Sequence, residues 1–263
     1  GMLPAFGVVG SDGRTVHDIK LSEYGTAWWA GVTGDITYWD PFRVAFDFTA
    51  GGVSYDESRL NRAGWMAALL VEYKFDWGTP GIVGWYASGD DDDLGNGSER
   101  LPTLSTGMSD NDLSHFAFDG NPYIAREGTL GNSMAGTWGV GLRVKDFSFV
   151  EDLKHTFRIN YIGGTNDHEI LKKLNRATGT WVAPNQGGVG VENMYLTDLD
   201  SALEIGLYNE YKMYDNFKIA LDANYVALFL DDGHKTWKYS AMNGKSRDVR
   251  DAWNVNVSFV YEF

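Results

Sequence analysis

The stretch Trp253-Asn254-Val255-Asn256-Val257-Ser258-Phe259-Val260-Tyr261-Glu262-Phe263 alternates in register: its odd-numbered residues are apolar or aromatic, and its even-numbered ones are mostly small or polar. Successive side chains of an extended chain point to opposite faces, so this period of two predicts a β-strand with one apolar and one polar side. The pattern recurs upstream. Phe217, Ile219, Leu221, Ala223, Tyr225, Ala227 and Phe229 oppose Lys218, Asp222 and Asn224, and before them Leu203, Ile205, Leu207, Tyr211 and Met213 oppose Glu204, Glu210 and Lys212. Further back, Phe157, Ile159 and Tyr161 oppose Arg158 and Asn160, while Trp138, Val140, Leu142 and Val144 oppose Arg143 and Lys145. In the first third, Trp65 to Phe75 sets apolar residues against Glu72 and Lys74, Val44 to Phe48 opposes Arg43 and Asp47, and Ala30 to Tyr38 opposes Thr33 and Asp35. Gly81 to Ala87 is apolar on both sides, so its facing stays open.

These are nine predicted strands. Four connections are tight, at Trp39-Asp40-Pro41, Asp76 to Pro80, Glu151-Asp152-Leu153 and Tyr214-Asp215-Asn216. The other four are long and polar, at about 51–62, 88–132, 165–200 and 231–249. Short and long connections alternate strictly, the signature of an antiparallel up-and-down meander with turns at one rim and loops at the other. The expected organisation is an N-terminal loop or remnant of a preceding strand over 1–24, followed by a β-barrel over 25–263.

Composition narrows the class. The formal charge of −14 opposes a nucleic-acid partner, because affinity for a polyphosphate depends on a basic surface. The absence of cysteine excludes a disulfide scaffold, a thiolate metal site and a cysteine nucleophile. No apolar stretch reaches the roughly 20 residues that a membrane-crossing helix needs, and Gly1-Met2-Leu3-Pro4 does not begin a signal peptide.

Alternation alone does not say which face is inside. A soluble barrel buries its apolar face, whereas a barrel in a lipid bilayer turns that face outward and keeps polar residues within. Three features favour the second reading. Several apolar faces extend beyond the roughly 5–6 residues usual for soluble strands. Aromatic residues gather at the strand ends, with Tyr38, Trp39, Tyr73, Phe75, Trp77, Tyr211, Tyr214, Phe217 and Tyr261 by the tight turns and Trp28, Trp65, Trp138, Phe229 and Trp253 by the loops, as in interfacial girdles. The chain also ends within a strand, at Phe263.

That last strand, with Val257, Phe259, Tyr261 and Phe263 on one face, resembles the C-terminal assembly signal of bacterial outer-membrane proteins, which implies the barrel-assembly machinery as a partner. Tyr24 to Gly31, Asp40 to Asp47, Leu69 to Gly81 and Glu151 to Arg158 resemble the outer-membrane homotrimeric porins of sulfate-reducing bacteria, over roughly 24–263 and in family order. The resemblance implies a general-diffusion porin, three barrels per assembly, in a Gram-negative outer membrane among lipid and lipopolysaccharide. Family members are longer on the N-terminal side. Nine strands are an odd number for a single-chain barrel, so the expectation is part of a larger barrel of about 16 strands, wide enough for an aqueous channel.

On this reading the pore-lining set is Asp35, Arg43, Asp47, Glu72, Lys74, Arg143, Lys145, Arg158, Glu204, Glu210, Lys212, Lys218 and Asp222, with Glu262 beside it. Its charges balance. The loop at 88–132 does not: nine acidic residues against Arg100 and Arg126 give it −7, half of the chain's net charge. It is the candidate to enter and constrict the lumen, and it predicts a mild preference for cations. Asp90, Asp91, Asp92 and Asp93 are a weak calcium candidate, since they lack the alternating ligand pattern of an EF-hand; the bland reading is a solvated loop. No catalytic set emerges and no cofactor is expected. His17, His115, His155, His168 and His234 are scattered, His168-Glu169 lacks the second histidine of a zincin, and Ser133 is followed by Ala135 where a nucleophile elbow needs glycine. Asn166 to Ala177 reads as a short amphipathic helix, with Ile170, Leu171 and Leu174 on one side. Small outward residues, Ala30, Gly34, Ala67, Ala223 and Ala227, are candidates for contact between barrels. The alternative function is a small closed barrel that serves as an adhesin or structural anchor without a channel.

Overall fold

A computed structural model describes residues 25–102, 114, 116–118, 129–130, 134–170, 172–173, 196–234, 236–237 and 251–262. The predicted N-terminal segment 1–24 and the assembly-signal residue Phe263 lie outside them. The described chain forms nine antiparallel strands: β1 (Thr26–Ile36), β2 (Phe42–Ser54), β3 (Arg62–Tyr73), β4 (Thr79–Ala87), β5 (Thr137–Val150), β6 (Leu153–Gly164), β7 (Ser201–Tyr214), β8 (Phe217–Phe229) and β9 (Ala252–Tyr261). They pair in sequence order in one sheet, each strand hydrogen-bonded to the next, so the architecture is an all-β up-and-down meander. Helix is confined to a 3-10 turn at Ser58–Leu60 and to residues 168–170 and 172–173 among those described. Ile170 is buried there, and the other apolar residues predicted for that helix, Leu171 and Leu174, lie outside the description.

The strands are longer than the pattern alone delimits. β2 runs on through Gly51 to Ser54 against β1, so the predicted loop at 51–62 shrinks to 55–61. The remaining long connections occupy 88–136, 165–200 and 230–251. β5 is irregular at its turn end, where its pairing with β6 shifts between Val144 and Phe147 and again between Phe147 and Val150. Asp146, at φ 55°, sits in this bulge. An extra residue there reverses the facing beyond it, and Phe147 and Phe149 accordingly tilt against His155 on the apolar face.

Polarity sorts cleanly between the two sides. Trp28, Val32, Leu69, Ile82, Val140, Leu142, Leu207, Val255, Val257 and Phe259 are exposed on one face. On the other, Glu72, Arg143, Arg158, Glu204 and Asp222 are buried. Burial of charge is costly unless partners compensate it, and exposed leucine and valine in this density is equally unusual in water. The apolar face is bounded by two rows of rings. Near the tight turns Phe42 meets Tyr73 edge to face, Tyr73 tilts against Phe75, Phe75 stacks on Trp77, and Phe217 stacks on Phe259. Near the loops Phe48, Trp65 and Tyr86 form a continuous run, and Trp138 tilts against Tyr161. Eight residues separate Trp65 from Tyr73, about 26 Å along a strand at roughly 3.3 Å per residue.

Candidate functional site: the polar face and the loop that covers it

One lateral row of register partners crosses eight strands on the polar face: Arg43, Glu72, Gly81, Arg143, Arg158, Gly206, Asn224 and Asn254. At its β1 end Arg43 makes a forked contact with Asp35, with Nε to Oδ1 and Nη2 to Oδ2 both at 3.0 Å, and it gives Nη1 to Glu72 Oε2 at 2.8 Å. The second oxygen of Glu72 takes Nη2 of Arg143. Glu72 and Arg143 stand on β3 and β5, with β4 between them. They meet because β4 presents Gly81 at that point, where a Cβ would lie 2.9 Å from Glu72 Cγ. Arg143 faces Arg158 across the β5–β6 pair, so Glu72 is the negative centre of a strongly basic stretch.

Toward the loop rim the same face becomes apolar and covered. Trp85, Ile162, Ala202 and Val226 form a buried cluster with Phe116, Ala117, Phe118, Leu130 and Met134 of the 88–136 connection. Phe118 meets Trp85 edge-on, with ring centroids 6.0 Å apart. The polar anchor is Glu204 on β7. Its Oε1 accepts hydrogen bonds from Ser114 Oγ at 2.9 Å, Phe116 N at 3.0 Å and Ala117 N at 2.9 Å, and its Oε2 accepts Asn160 Nδ2 at 2.8 Å. The long loop expected to enter the interior therefore lies against the polar face. Trp29 of β1 also reaches it, giving Nε1 to Pro102 O at 2.8 Å.

The loop rim is held by three further polar hubs. Asn166 gives Nδ2 to Gly136 O and Leu196 O and takes Asp90 N on Oδ1. Arg100 donates twice to Ala135 O. Asp200, whose carboxyl burial pushes above its ordinary range, receives Thr197, Asp231 N and Trp237 Nε1.

The remaining residues of the predicted set divide by environment. Asp47 takes Thr49 Oγ1 at 3.0 Å, and Asp222 takes Asn224 Nδ2 at 2.8 Å. Lys218 lies 3.6 Å from Glu210 and 3.7 Å from Glu262, and Lys212 pairs with Asp215 in the adjacent turn at 2.9 Å. Lys74 falls just beyond β3 and is exposed, and Lys145 pairs with Thr79 at the start of the β5 bulge. Between Arg43 and β4 a cavity of about 460 Å³ opens, lined by Thr33, Asp35, Arg43, Ala45 and Asp47 among others. Asp90 to Asp93 do not converge. Asp90 caps Ser98 and Glu99, Asp91 takes Asp93 N and Asn96, Asp93 takes Gly95 N, and Asp92 pairs with Lys173, which draws its carboxyl below the usual range. Among the described residues no three His, Cys, Asp or Glu side chains assemble as a metal site.

Several contributors were absent from the predicted set. Asn160, Asn224, Asn254 and Asn256 occupy the same parity as the charged residues and could have been taken from it. Trp85 could not, since both faces of its strand are apolar in sequence; Ser114 stands 90 residues from its partner Glu204.

No protein-family model matches the chain. No curated protein matches it either. Among solved structures, it is similar to the crystal structure of OccK11 (OpdR) of Pseudomonas aeruginosa, with a TM-score of 0.44 and 13% identity over 81% of this chain and 48% of that one. The chain thus spans about half the length of that structure.

Proposed function

We propose that this chain forms wall and constriction of an outer-membrane porin, through which small hydrophilic solutes and ions diffuse down their gradients. The observation that carries the reading is the inverted polarity of the sheet: Leu69, Val140, Leu142 and Val257 are exposed while Glu72, Arg143, Arg158 and Glu204 are buried opposite them. Hydrocarbon outside and water within is the environment that such a sheet satisfies. The two aromatic rows fit the two bilayer interfaces. Arginine–carboxylate contacts along the wall, one of them forked, and a loop docked toward the rim make a polar passage narrowed from one side. The finer assignment is a homotrimer of the kind found in sulfate-reducing bacteria, surrounded by lipid and lipopolysaccharide, delivered by the barrel-assembly machinery and mildly cation-selective through its acidic loops. It involves no enzymatic step.

Single-channel recording on protein extracted from its native outer membrane tests this. Conductance steps grouped in threes and a reversal potential favouring potassium over chloride are expected; a chloride-favouring potential refutes the selectivity. One observation favours a second reading, an adhesin or anchor without a channel: Phe116, Phe118 and Leu130 fill the rimward part of the polar face with an apolar plug. Electrical silence from a folded, heat-modifiable species would select it.

A further inference from the structure

The sequence presents His168-Glu169 without a second histidine, but the fold supplies one from a different loop. His168, in the 165–200 connection, and His234, in the 230–251 connection, have ring centroids 5.8 Å apart. Each ring is held from behind by an aspartate: Nδ1 of His168 lies 3.0 Å from Asp198 Oδ1, and Nδ1 of His234 lies 3.0 Å from Asp231 Oδ1. An ionised carboxylate only accepts, so each Nδ1 carries a proton, and in the neutral ring Nε2 then keeps the lone pair that a metal would take. That is the arrangement by which carboxylates orient metal-ligating histidines and raise their basicity.

The supports are themselves fixed. Asp198 also takes the backbone N–H of His168 at 3.0 Å, and its own N–H is bound to Asn166 O at 2.7 Å. Asp231 takes His234 N, Gly233 N and Thr236 Oγ1, while its own N–H is held by Asp200. With a metal–nitrogen bond of about 2.1 Å, an imidazole centroid lies roughly 3.2 Å from the ion, so two rings sharing one ion have centroids within about 6.4 Å. The observed 5.8 Å is inside that limit. Glu169 lies 3.4 Å from His168 Nε2 but is engaged by Lys172 at 2.6 Å, leaving the two imidazoles as the protein's ligands.

We propose that His168 and His234 form an exchangeable two-histidine site for a divalent transition metal, which ties the 165–200 loop to the 230–251 loop at the loop rim of the sheet. Two imidazole nitrogen ligands with open positions favour copper most strongly, then nickel or zinc. The geometry calls for affinity below that of a closed structural site, because only two of four or more positions come from the protein.

Folded protein in detergent micelles, titrated with Cu²⁺ and followed by electron paramagnetic resonance and calorimetry, tests this. One equivalent bound with hyperfine coupling to two nitrogens is expected. His168→Gln and His234→Gln should each reduce the coupling to one nitrogen and weaken binding at least tenfold. Asp231→Asn should weaken it roughly 10- to 100-fold with both nitrogens retained. His155→Gln, on the apolar face, should change nothing, and unchanged heat-modifiable gel mobility establishes that each variant is folded. Copper binding untouched by either loop variant, or no binding by folded wild-type protein at 100-fold excess copper, overturns the proposal.

Discussion

The polar face has two halves with different physics. Around Glu72, charge is matched by charge within the wall: Asp35, Arg43, Glu72 and Arg143 form a chain of contacts between strands. Around Glu204, charge is matched by a loop: one carboxylate collects two backbone amides, a hydroxyl and a side-chain amide, under an apolar cover. The Glu72 contacts come from the strands alone, whereas Glu204 would keep only the Asn160 amide and lose all three donors to its Oε1 without the loop. Changes near Glu72 should therefore act on the folding of the sheet, and changes at Glu204 on the placement of the loop.

The largest effect is expected from Glu72→Ala. It removes the carboxylate that pairs with the buried Arg143 guanidinium, which lies directly opposite Arg158. Loss of one partner from a buried pair typically costs 3–5 kcal/mol, and unfolding in denaturant followed by gel mobility would measure it. The double change Glu72→Ala with Arg143→Ala should lose less than Glu72→Ala alone, since it also removes the buried guanidinium that Glu72 pairs with. A double variant worse than the single one would show that the pair is not what holds this part of the wall.

Glu204→Gln comes next. The amide can still accept from Ser114, Phe116 and Ala117, but its nitrogen cannot accept from Asn160, so a buried donor pair is left face to face. A buried group without its partner costs about 1–3 kcal/mol. That cost should appear as faster hydrogen exchange at Phe116, Ala117 and Leu130 and as noisier conductance, while the denaturation midpoint of the sheet barely moves. If exchange there is unchanged, Glu204 is not the anchor.

Gly81→Ala probes the wall more gently. The added methyl meets Glu72 Cγ at 2.9 Å and Val71 O at 3.1 Å, so the carboxylate must shift from Arg143. An overpacking cost of about 1 kcal/mol is expected, the low end for a contact with a flexible side chain. It should leave exchange in the loop unaffected; an effect equal in both places would dissolve the distinction between the halves.

The same division explains what the sequence disclosed. Parity placed eight of the nine strands and the charged row, because residues such as Asp35, Arg43, Glu72, Arg158, Glu204 and Asp222 obey a local period of two; β4 was legible only as a short apolar run with its facing open. Parity failed where the deciding contact is distant. Trp85 faces inward yet is apolar because Phe118 covers it, and nothing within β4 encodes that cover. Ser114 and Phe116 gave no sign of docking because Glu204 lies almost 90 residues away. The bulge at Asp146 escaped for a smaller reason, since a single inserted residue shifts parity over a stretch too short for a period to be read.

The smallest effect concerns two aspartates at the loop rim that respond to acid in opposite directions. Burial pushes the Asp231 carboxyl up, but the His234 ring and amide, the Thr236 hydroxyl and the Gly233 amide together bring it down to about 2. A carboxyl lowered on folding stabilises the folded state above its unfolded value near 3.8 and loses that contribution as pH falls through about 2. Asp200 behaves oppositely: burial outweighs its hydrogen bonds and raises its pKa, so the folded state takes up the proton first and gains relative stability as pH falls towards 3.8. The charged form of Asp231 is thus part of what pins Gly233 and His234, whereas the charge of Asp200 is carried at a cost. At pH 7, Asp231→Asn should speed exchange of the Gly233 and His234 amides, and Asp200→Asn, which removes a charge carried at a cost, should disturb its own partners less. Wild-type protection at those two amides, corrected for intrinsic exchange, should be the same at pH 5 and pH 7. Loss of protection at pH 5 would mean that a neighbouring histidine, not Asp231, carries the loop's response to acid.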